Sequence, residues 1–462
     1  MSMKLNPFEI ANVLIVIFLL FQLVRRRDVV TLLLVLFAYG SLHFGFAVIA
    51  LTTHESASLM IAMHNDGGGG LAKLSTLVLL SVIFVFLGGH AYGSYVQNRR
   101  SENQTVIYIL TAMGALFLGY LLNYRYDDWL QLKNVISLEV MFAFILIGYL
   151  GVLGDLIVGN KRIYAWGMVG LIVLAVADGV AIYEVFCHNA WSQFRDSSGA
   201  IIYRASSILF NPNLFGFWAS LIYLGCAYGM HTFKSHRMMI LGMILASIAI
   251  YFSGSRSAGY LLLALLLFTP LLIKERLHWV PFLIFPLTIS IIYFGAARLL
   301  PSVISSNIGW NEIAMLGERF FYAPINLINY VFMHVGVPAG VPAGVPVEVS
   351  IAIEGRFVGE GRDAGWLILY QDVGWLGVIA ILWGSMIMML WGMRTYVAKR
   401  SAASVYAIAA LCCCLFTGLV MRFQIFPVWL FISVTLTLCL GYWKRSAVHN
   451  EVLMGSDART NN

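Results

Sequence analysis

The hydrophobic positions of the chain are gathered in long runs, separated mostly by short polar segments. A run of about 17–25 apolar residues is long enough to cross the ~30 Å hydrocarbon core of a bilayer as a helix. The pattern therefore predicts an all-α fold, a polytopic transmembrane helix bundle of about 12–14 spans. The thirteen predicted spans are 8–24, 29–51, 73–93, 105–123, 135–153, 163–185, 207–230, 237–252, 257–273, 280–298, 365–391, 402–421 and 427–442.

The spacing of these spans divides the chain into four predicted units. An N-terminal transmembrane bundle covers 1–206, and central transmembrane helices cover 207–298. A long loop covers 299–364, and the C-terminal helices with a polar tail cover 365–462. Within the loop, the mixed pattern of 312–333 predicts a short helix lying at the membrane interface. The Gly-Val-Pro repeats of 336–347 predict a semi-extended linker, because repeated Gly and Pro do not continue a helix.

Composition strengthens the membrane interpretation. Of the 462 residues, 60% are hydrophobic and only 11% are charged, whereas soluble domains carry about 25% charged residues. The formal charge of +7 is better explained by basic loops facing anionic lipid than by nucleic-acid binding. The six cysteines show neither a disulfide framework nor the spacing of metal ligands.

Basic residues predict the orientation of the helices. Most Lys and Arg residues fall in one set of short loops, which the positive-inside rule places in the cytoplasm. The N-terminus and the loop 299–364 then face outward, and the C-terminus faces inward. Positive charge is disfavoured on the outer side, yet nine arginines remain there. Since the guanidinium fork binds phosphate through two hydrogen bonds, these arginines suggest a phosphate-bearing ligand as an alternative to local ion pairs.

Three outward-facing segments carry candidate chemistry. Arg204 precedes Asn211-Pro212-Asn213 at the mouth of a span, a pattern that also suits simple helix capping. A tight Ser253–Ser257 turn places Arg256 at a helix start, where a cation is locally unfavourable unless an anion joins it. The long loop closes with charges of both signs just before the span that opens at Gly365. Inside the spans, Asp178 and Glu184 also need an explanation, because charge is costly there.

These segments together resemble the superfamily of O-antigen ligases and Wzy-type polysaccharide polymerases of bacterial membranes. The resemblance lies in 204–216, in the turn 254–258, and in 359–367 followed by Asp372-Val373-Gly374-Trp375-Leu376-Gly377. It covers about 200–380. Ligases of that family usually carry His at the position of Asp363, so this departure favours a polymerase.

The resemblance implies an enzyme that acts at the periplasmic face of the bacterial inner membrane. Its donor would be an undecaprenyl-diphosphate-linked glycan, and its product an O-antigen, capsule or exopolysaccharide. The resemblance implies inverting transfer that needs no metal and no cofactor. Besides the donor and the lipid bilayer, a chain-length regulator and a flippase are expected partners, and no nucleic acid is expected. The implied catalytic residues are Asp363 and Glu360, the implied diphosphate ligands are Arg204, Arg256, Arg319 and Arg422, and the implied glycan contacts are Asn211, Asn213, Arg362 and Trp366.

Other functions stay open at this point. A ligase of the same superfamily would transfer the glycan to lipid A-core or to protein. A flippase or transporter would carry charges at the bilayer midplane and internal repeats, and the charges here crowd one face. A membrane acyltransferase would need a catalytic His with an acidic neighbour, and His188 and His334 have no such neighbour in the sequence.

Overall fold

A computed structural model defines the architecture of the protein. It describes residues 103–122, 161–186, 192–195, 201–209, 211–232, 236–272, 279–299, 365–417 and 431–440. A few isolated helical positions are also described between 14 and 25, between 135 and 145, at 428–429 and at 442–443. The predicted spans 29–51 and 73–93 and the predicted loop helix and linker lie outside the described residues.

The described elements follow the apolar runs of the sequence. The helices are α1 (Asn103–Leu122), α2 (Lys161–Phe186), α3 (Pro212–Thr232), α4 (His236–Ser253), α5 (Arg256–Leu272), α6 (Trp279–Leu299), α7 (Gly365–Lys399), α8 (Ala402–Thr417) and α9 (Phe431–Leu440). Most of their ends agree with the predicted spans to within a few residues. An apolar run predicts a helix well because the helix satisfies its own backbone hydrogen bonds.

A short β-hairpin interrupts the helical pattern between α2 and α3. Strands β1 (Ser192–Arg195) and β2 (Ile201–Arg204) pair antiparallel, with Ser192 opposite Arg204 and Arg195 opposite Ile201. The apolar runs predict a loop at 186–206, between the spans 163–185 and 207–230. The described part of the chain is therefore helical, as predicted, with this one short hairpin, which leads directly into the candidate site.

The exterior of the bundle is apolar. Among the described residues, three helical segments are long and apolar enough to cross a membrane, Gly167–Phe186, His236–Ser253 and Val373–Ala398. Large hydrophobic side chains are exposed on outward faces, such as Ile172 and Val176 on α2. Apolar faces of this extent are unfavourable in water and mark association with a membrane. The total of thirteen spans and the orientation remain predictions.

Helix α3 lies in the middle of the described bundle. It packs against α4, α5 and α8, while α4 also contacts α2 and α6, and α7 contacts α1 and α8. Trp218 and Tyr223 of α3 are fully enclosed. A Cβ atom on Gly216 would lie 2.5 Å from the Cβ atom of Ser255, so glycine is needed where α3 meets the start of α5. This close approach brings the ends of three helices together.

Helix α7 is broken near its start. Gly374 has φ 64° and ψ −172°, a backbone conformation that is essentially restricted to glycine. Gly119 of α1 packs against the break, where an added Cβ atom would clash with the carbonyl oxygen of Val373 and lie 3.1 Å from the backbone nitrogen of Gly377. The apolar run continues through this position and predicts an uninterrupted span over 365–391, so the break at Gly374 corrects that prediction.

Candidate functional site

The candidate site forms where three separate segments of the chain meet. These are the end of β2 with Arg204, the start of α3 with Asn211 and Asn213, and the turn Ser253–Ser255 between α4 and α5. The backbone N–H of Ala205 donates to the carbonyl oxygen of Phe252 at 2.9 Å, which ties the first segment to the third. Two of the motifs singled out in the sequence therefore lie side by side.

Arg204 bridges the other two segments. Its Nε donates to the carbonyl oxygen of Ser253 at 3.2 Å, and its Nη2 donates to Oδ1 of Asn213 at 2.8 Å. Ser255 Oγ also donates to Oδ1 of Asn213, at 3.4 Å. Arg204 is partly exposed, whereas the five residues that follow it are buried. The guanidinium group is thus held in one position at the edge of the bundle.

Asn211 acts as a helix cap. Its Oδ1 accepts the backbone N–H of Asn213 at 2.9 Å and that of Leu214 at 3.1 Å. Its carbonyl oxygen accepts the N–H of Phe215 at 2.9 Å. These bonds satisfy donors that a helix start leaves unpaired. The capping interpretation of the Asn-Pro-Asn pattern therefore fits Asn211, and its glycan-binding role stays a prediction.

The turn between α4 and α5 depends on Gly254. Its φ is 56°, and an added Cβ atom would lie 3.1 Å from Cγ of Arg204 and 3.3 Å from its Nε. Ser253 Oγ accepts the backbone N–H of Ser255 at 3.1 Å and donates to the carbonyl oxygen of Ile250 at 2.7 Å. The turn is therefore shaped both by a left-handed residue and by the guanidinium group that packs on it.

Arg256 begins α5 directly after this turn, so its backbone adjoins the segment that Arg204 contacts. Its side chain lies outside the described residues. The starts of α3 and α5 meet near Arg204, and both helix N-termini carry partial positive charge. The guanidinium group adds a full positive charge, and part of it is balanced by the C-terminal end of α4, whose carbonyl oxygen at Ser253 it bonds. One arginine and two helix starts against one helix end still suit an anionic ligand.

The remaining predicted site residues cannot be placed beside Arg204. Five of them lie outside the described residues: Asp363, Glu360, Arg362, Arg319 and Arg422. Trp366 belongs to the first turn of α7, and its side chain is likewise outside the described part. Their roles stay predictions. Within the described ranges, no group of three or more His, Cys, Asp or Glu side chains could hold a metal ion.

The structure places Glu184 against this site, although the sequence pattern alone assigns this residue no role. The side chain of Glu184 is 1% exposed, and its Oε2 accepts the backbone N–H groups of Ser206 and Ser207. The signal in the sequence was an acidic residue inside an apolar span. Asp178, on the same helix and 3% exposed, has no hydrogen-bond partner for either carboxylate oxygen among the described residues.

A scan of the chain against protein-family models finds no match, and a search of curated proteins finds no similar sequence. The resemblance to the ligase and polymerase superfamily thus rests on the three motifs themselves. The function is accordingly argued from the chemistry of the site.

Proposed function

We propose that the protein is a glycosyltransferase of the bacterial inner membrane that polymerises undecaprenyl-diphosphate-linked oligosaccharide units at the periplasmic face. The observation that carries this proposal is the position of Arg204, whose guanidinium group bonds Asn213 at the start of α3 and Ser253 at the end of α4, next to the start of α5. A diphosphate head group on a membrane-embedded prenyl chain has the charge and the location that such a site would accept.

The electrostatics of the site support a diphosphate ligand. Asn211 already accepts two N–H groups at the start of α3, so the attraction for an anion comes mainly from the full positive charge of Arg204 and from the partial positive charge of the helix starts. The rigid bonds from Arg204 to Ser253 and Asn213 mean that little conformational entropy remains to be lost when an anion binds. Arg256 is adjacent in the chain to the turn that Arg204 holds, and its guanidinium group is proposed as the second ligand.

The proposed reaction is an inverting displacement at the anomeric carbon of the donor sugar. The acceptor hydroxyl oxygen forms the new C–O bond, and the C–O bond to the diphosphate breaks. The hydroxyl proton goes to the carboxylate of Asp363, with Glu360 as the second candidate base. The negative charge that develops on the leaving undecaprenyl diphosphate is stabilised by Arg204 and Arg256. Arg319 and Arg422 are proposed as further diphosphate contacts.

The proposal is tested with the full chain purified into lipid nanodiscs. The protein is incubated with an undecaprenyl-diphosphate-linked repeat unit, and the products are separated on a gel. A ladder of increasing chain length is expected from the wild type, and none from the Arg256→Ala or Asp363→Asn variant at equal protein level. Absence of a ladder from wild-type protein that binds the donor argues against polymerisation.

The ligase alternative differs only in the acceptor. A ligase would leave the single unit unextended and transfer it to added lipid A-core or acceptor protein. The same reaction mixture, supplemented with lipid A-core, therefore separates the two activities.

A transporter of lipid-linked oligosaccharides is a second candidate from another class, and the break in α7 at Gly374 favours it. Transporters use interrupted helices, whose freed backbone groups line a substrate path. Proteoliposomes distinguish this function, because a flippase moves labelled lipid-linked oligosaccharide between leaflets without changing its length.

A further inference from the structure

Glu184 is buried near the end of α2 and holds a backbone turn. Its Oε2 accepts the N–H of Ser206 at 2.8 Å and the N–H of Ser207 at 3.1 Å. Two successive backbone N–H groups that converge in this way form a nest, a concavity that binds anions. Here the carboxylate of Glu184 occupies the nest. Charge-assisted hydrogen bonds of this kind are about twice as strong as neutral ones.

The turn that Glu184 holds is strained. Ser207 has φ 50°, a left-handed conformation that is uncommon for residues other than glycine. Such residues persist only when their surroundings determine them strongly. Ser207 is in fact held twice by α2, since its Oγ also donates to the carbonyl oxygen of Ala177 at 2.6 Å. The helix therefore imposes the shape of this turn.

The strained turn is directly connected to the arginine of the candidate site. Arg204 lies two residues before Ser206, and the intervening Ala205 is bonded to Phe252. The chain is buried from Ala205 through Leu209, so a shift of the turn cannot be absorbed by a loose linker. Moving Ser206 would displace Arg204 from its bonds to α3 and to the turn before α5.

We propose that Glu184 is a positioning residue whose carboxylate, by binding the N–H groups of Ser206 and Ser207, sets the place of Arg204 in the anion site. This inference rests on the proposed function for its effect on the donor. The anchoring of the turn itself does not depend on which anion binds. Glu184 touches no reacting atom in this scheme and acts only through Arg204.

The test compares Glu184→Gln with a matched change on the same helix. Gln keeps the size of the side chain and one acceptor oxygen but removes the charge from the nest. Asp178→Asn also neutralises a buried carboxyl of α2, and no hydrogen bond links Asp178 to the turn within the described part of the chain. Each variant is purified in nanodiscs, and the dissociation constant for undecaprenyl diphosphate is measured. A roughly tenfold rise is expected for Glu184→Gln, and no change for Asp178→Asn.

A double-mutant cycle separates positioning from general loss of structure. In an Arg204→Ala background, Glu184→Gln is expected to have no further effect on the dissociation constant, because the residue through which it acts is gone. An equal rise in both backgrounds would overturn the inference, as would an equal rise for Asp178→Asn. If Glu184→Gln fails to fold, Glu184→Asp is used instead, because its shorter carboxylate keeps the charge but does not reach both N–H groups.

Hydrogen exchange of the amides at 206 and 207 provides a readout that does not depend on the donor. Faster exchange in Glu184→Gln than in wild type and Asp178→Asn is expected, and equal rates would overturn the anchoring. If wild-type protein does not bind undecaprenyl diphosphate while exchange still rises, the proposed function fails and the anchoring stands. If wild type binds and Glu184→Gln changes neither quantity, the inference fails and the proposed function stands.

Discussion

The break in α7 makes a strong prediction about Gly374. An alanine at this position must adopt φ 64° and ψ −172° or else straighten the helix. The first choice is disfavoured because that region of backbone space is essentially open to glycine alone. The second choice would redirect residues 365–373, of which Val373 lies against Gly119 of α1.

The expected size of the effect follows from the backbone conformation. Holding a residue with a side chain in such a region costs about 1–3 kcal/mol. Gly384 lies further along α7, and among the described residues a Cβ atom there would meet only Cε1 of Phe142 at 3.7 Å, an ordinary contact. Replacing a glycine in a helix interior by alanine stabilises by about 0.5–1 kcal/mol. Gly374→Ala and Gly384→Ala should therefore differ in free energy of unfolding by about 1.5–4 kcal/mol, with opposite signs.

Unfolding by sodium dodecyl sulfate in mixed micelles measures this difference for the full chain. Far-ultraviolet circular dichroism follows the loss of helix, and polymer formation is assayed on the same preparations. We expect Gly374→Ala to unfold at lower detergent fraction and to lose activity, while Gly384→Ala matches or exceeds wild type. Equal unfolding midpoints for the two variants would refute the broken helix as the source of the constraint.

Further predictions concern the candidate site and the core. Arg204→Lys loses the guanidinium fork that bonds both the Ser253–Ser255 turn and Asn213. It should weaken donor binding roughly tenfold or more, because hydrogen bonds to charged groups contribute about 1.5–3 kcal/mol. A dissociation constant equal to that of the wild type would show that the fork is dispensable. Gly254→Ala should lower both the thermal unfolding midpoint and the donor affinity, because the φ of 56° at Gly254 and its contact with Arg204 both disfavour a Cβ atom. Wild-type donor affinity in this variant would contradict the prediction. Tyr223→Phe removes the hydroxyl that donates a hydrogen bond to the carbonyl oxygen of Pro281. It should destabilise the fold by about 1–3 kcal/mol and leave the affinity for the glycan donor unchanged. Calorimetry measures the stability, and the binding assay measures the affinity.

The helices were largely predictable from the sequence, and their exceptions were not. Apolar runs gave the ends of α2 and α4 to within two residues, because span length is fixed by the membrane rather than by tertiary contacts. The break at Gly374 could not be predicted, because the hydrophobicity of a residue carries no information about its backbone angle φ. The β-hairpin could not be predicted either, because its four-residue strands are too short to show an alternation of apolar and polar residues within the surrounding polar loop.

Part of the candidate site could be anticipated from local pattern. The Asn-Pro-Asn pattern predicts a helix start and the Ser-Gly-Ser pattern predicts a turn before one, and the structure places the two segments beside one another through Arg204 and Asn213. The anchoring by Glu184 could not be anticipated. It joins a residue of α2 to backbone N–H groups that lie beyond the hairpin, and a sequence pattern does not report backbone N–H positions.

The enclosure of α3 has a consequence for how the protein is made. Among its neighbours is α8, which leaves the ribosome long after α3 has been synthesised. Until α8 has been synthesised, the side of α3 that packs against α8 can be covered only by lipid or by chaperones. The bundle around α3 should therefore be completed only late in synthesis. Chains that terminate before residue 402 are expected to be degraded rather than to accumulate as partly assembled bundles.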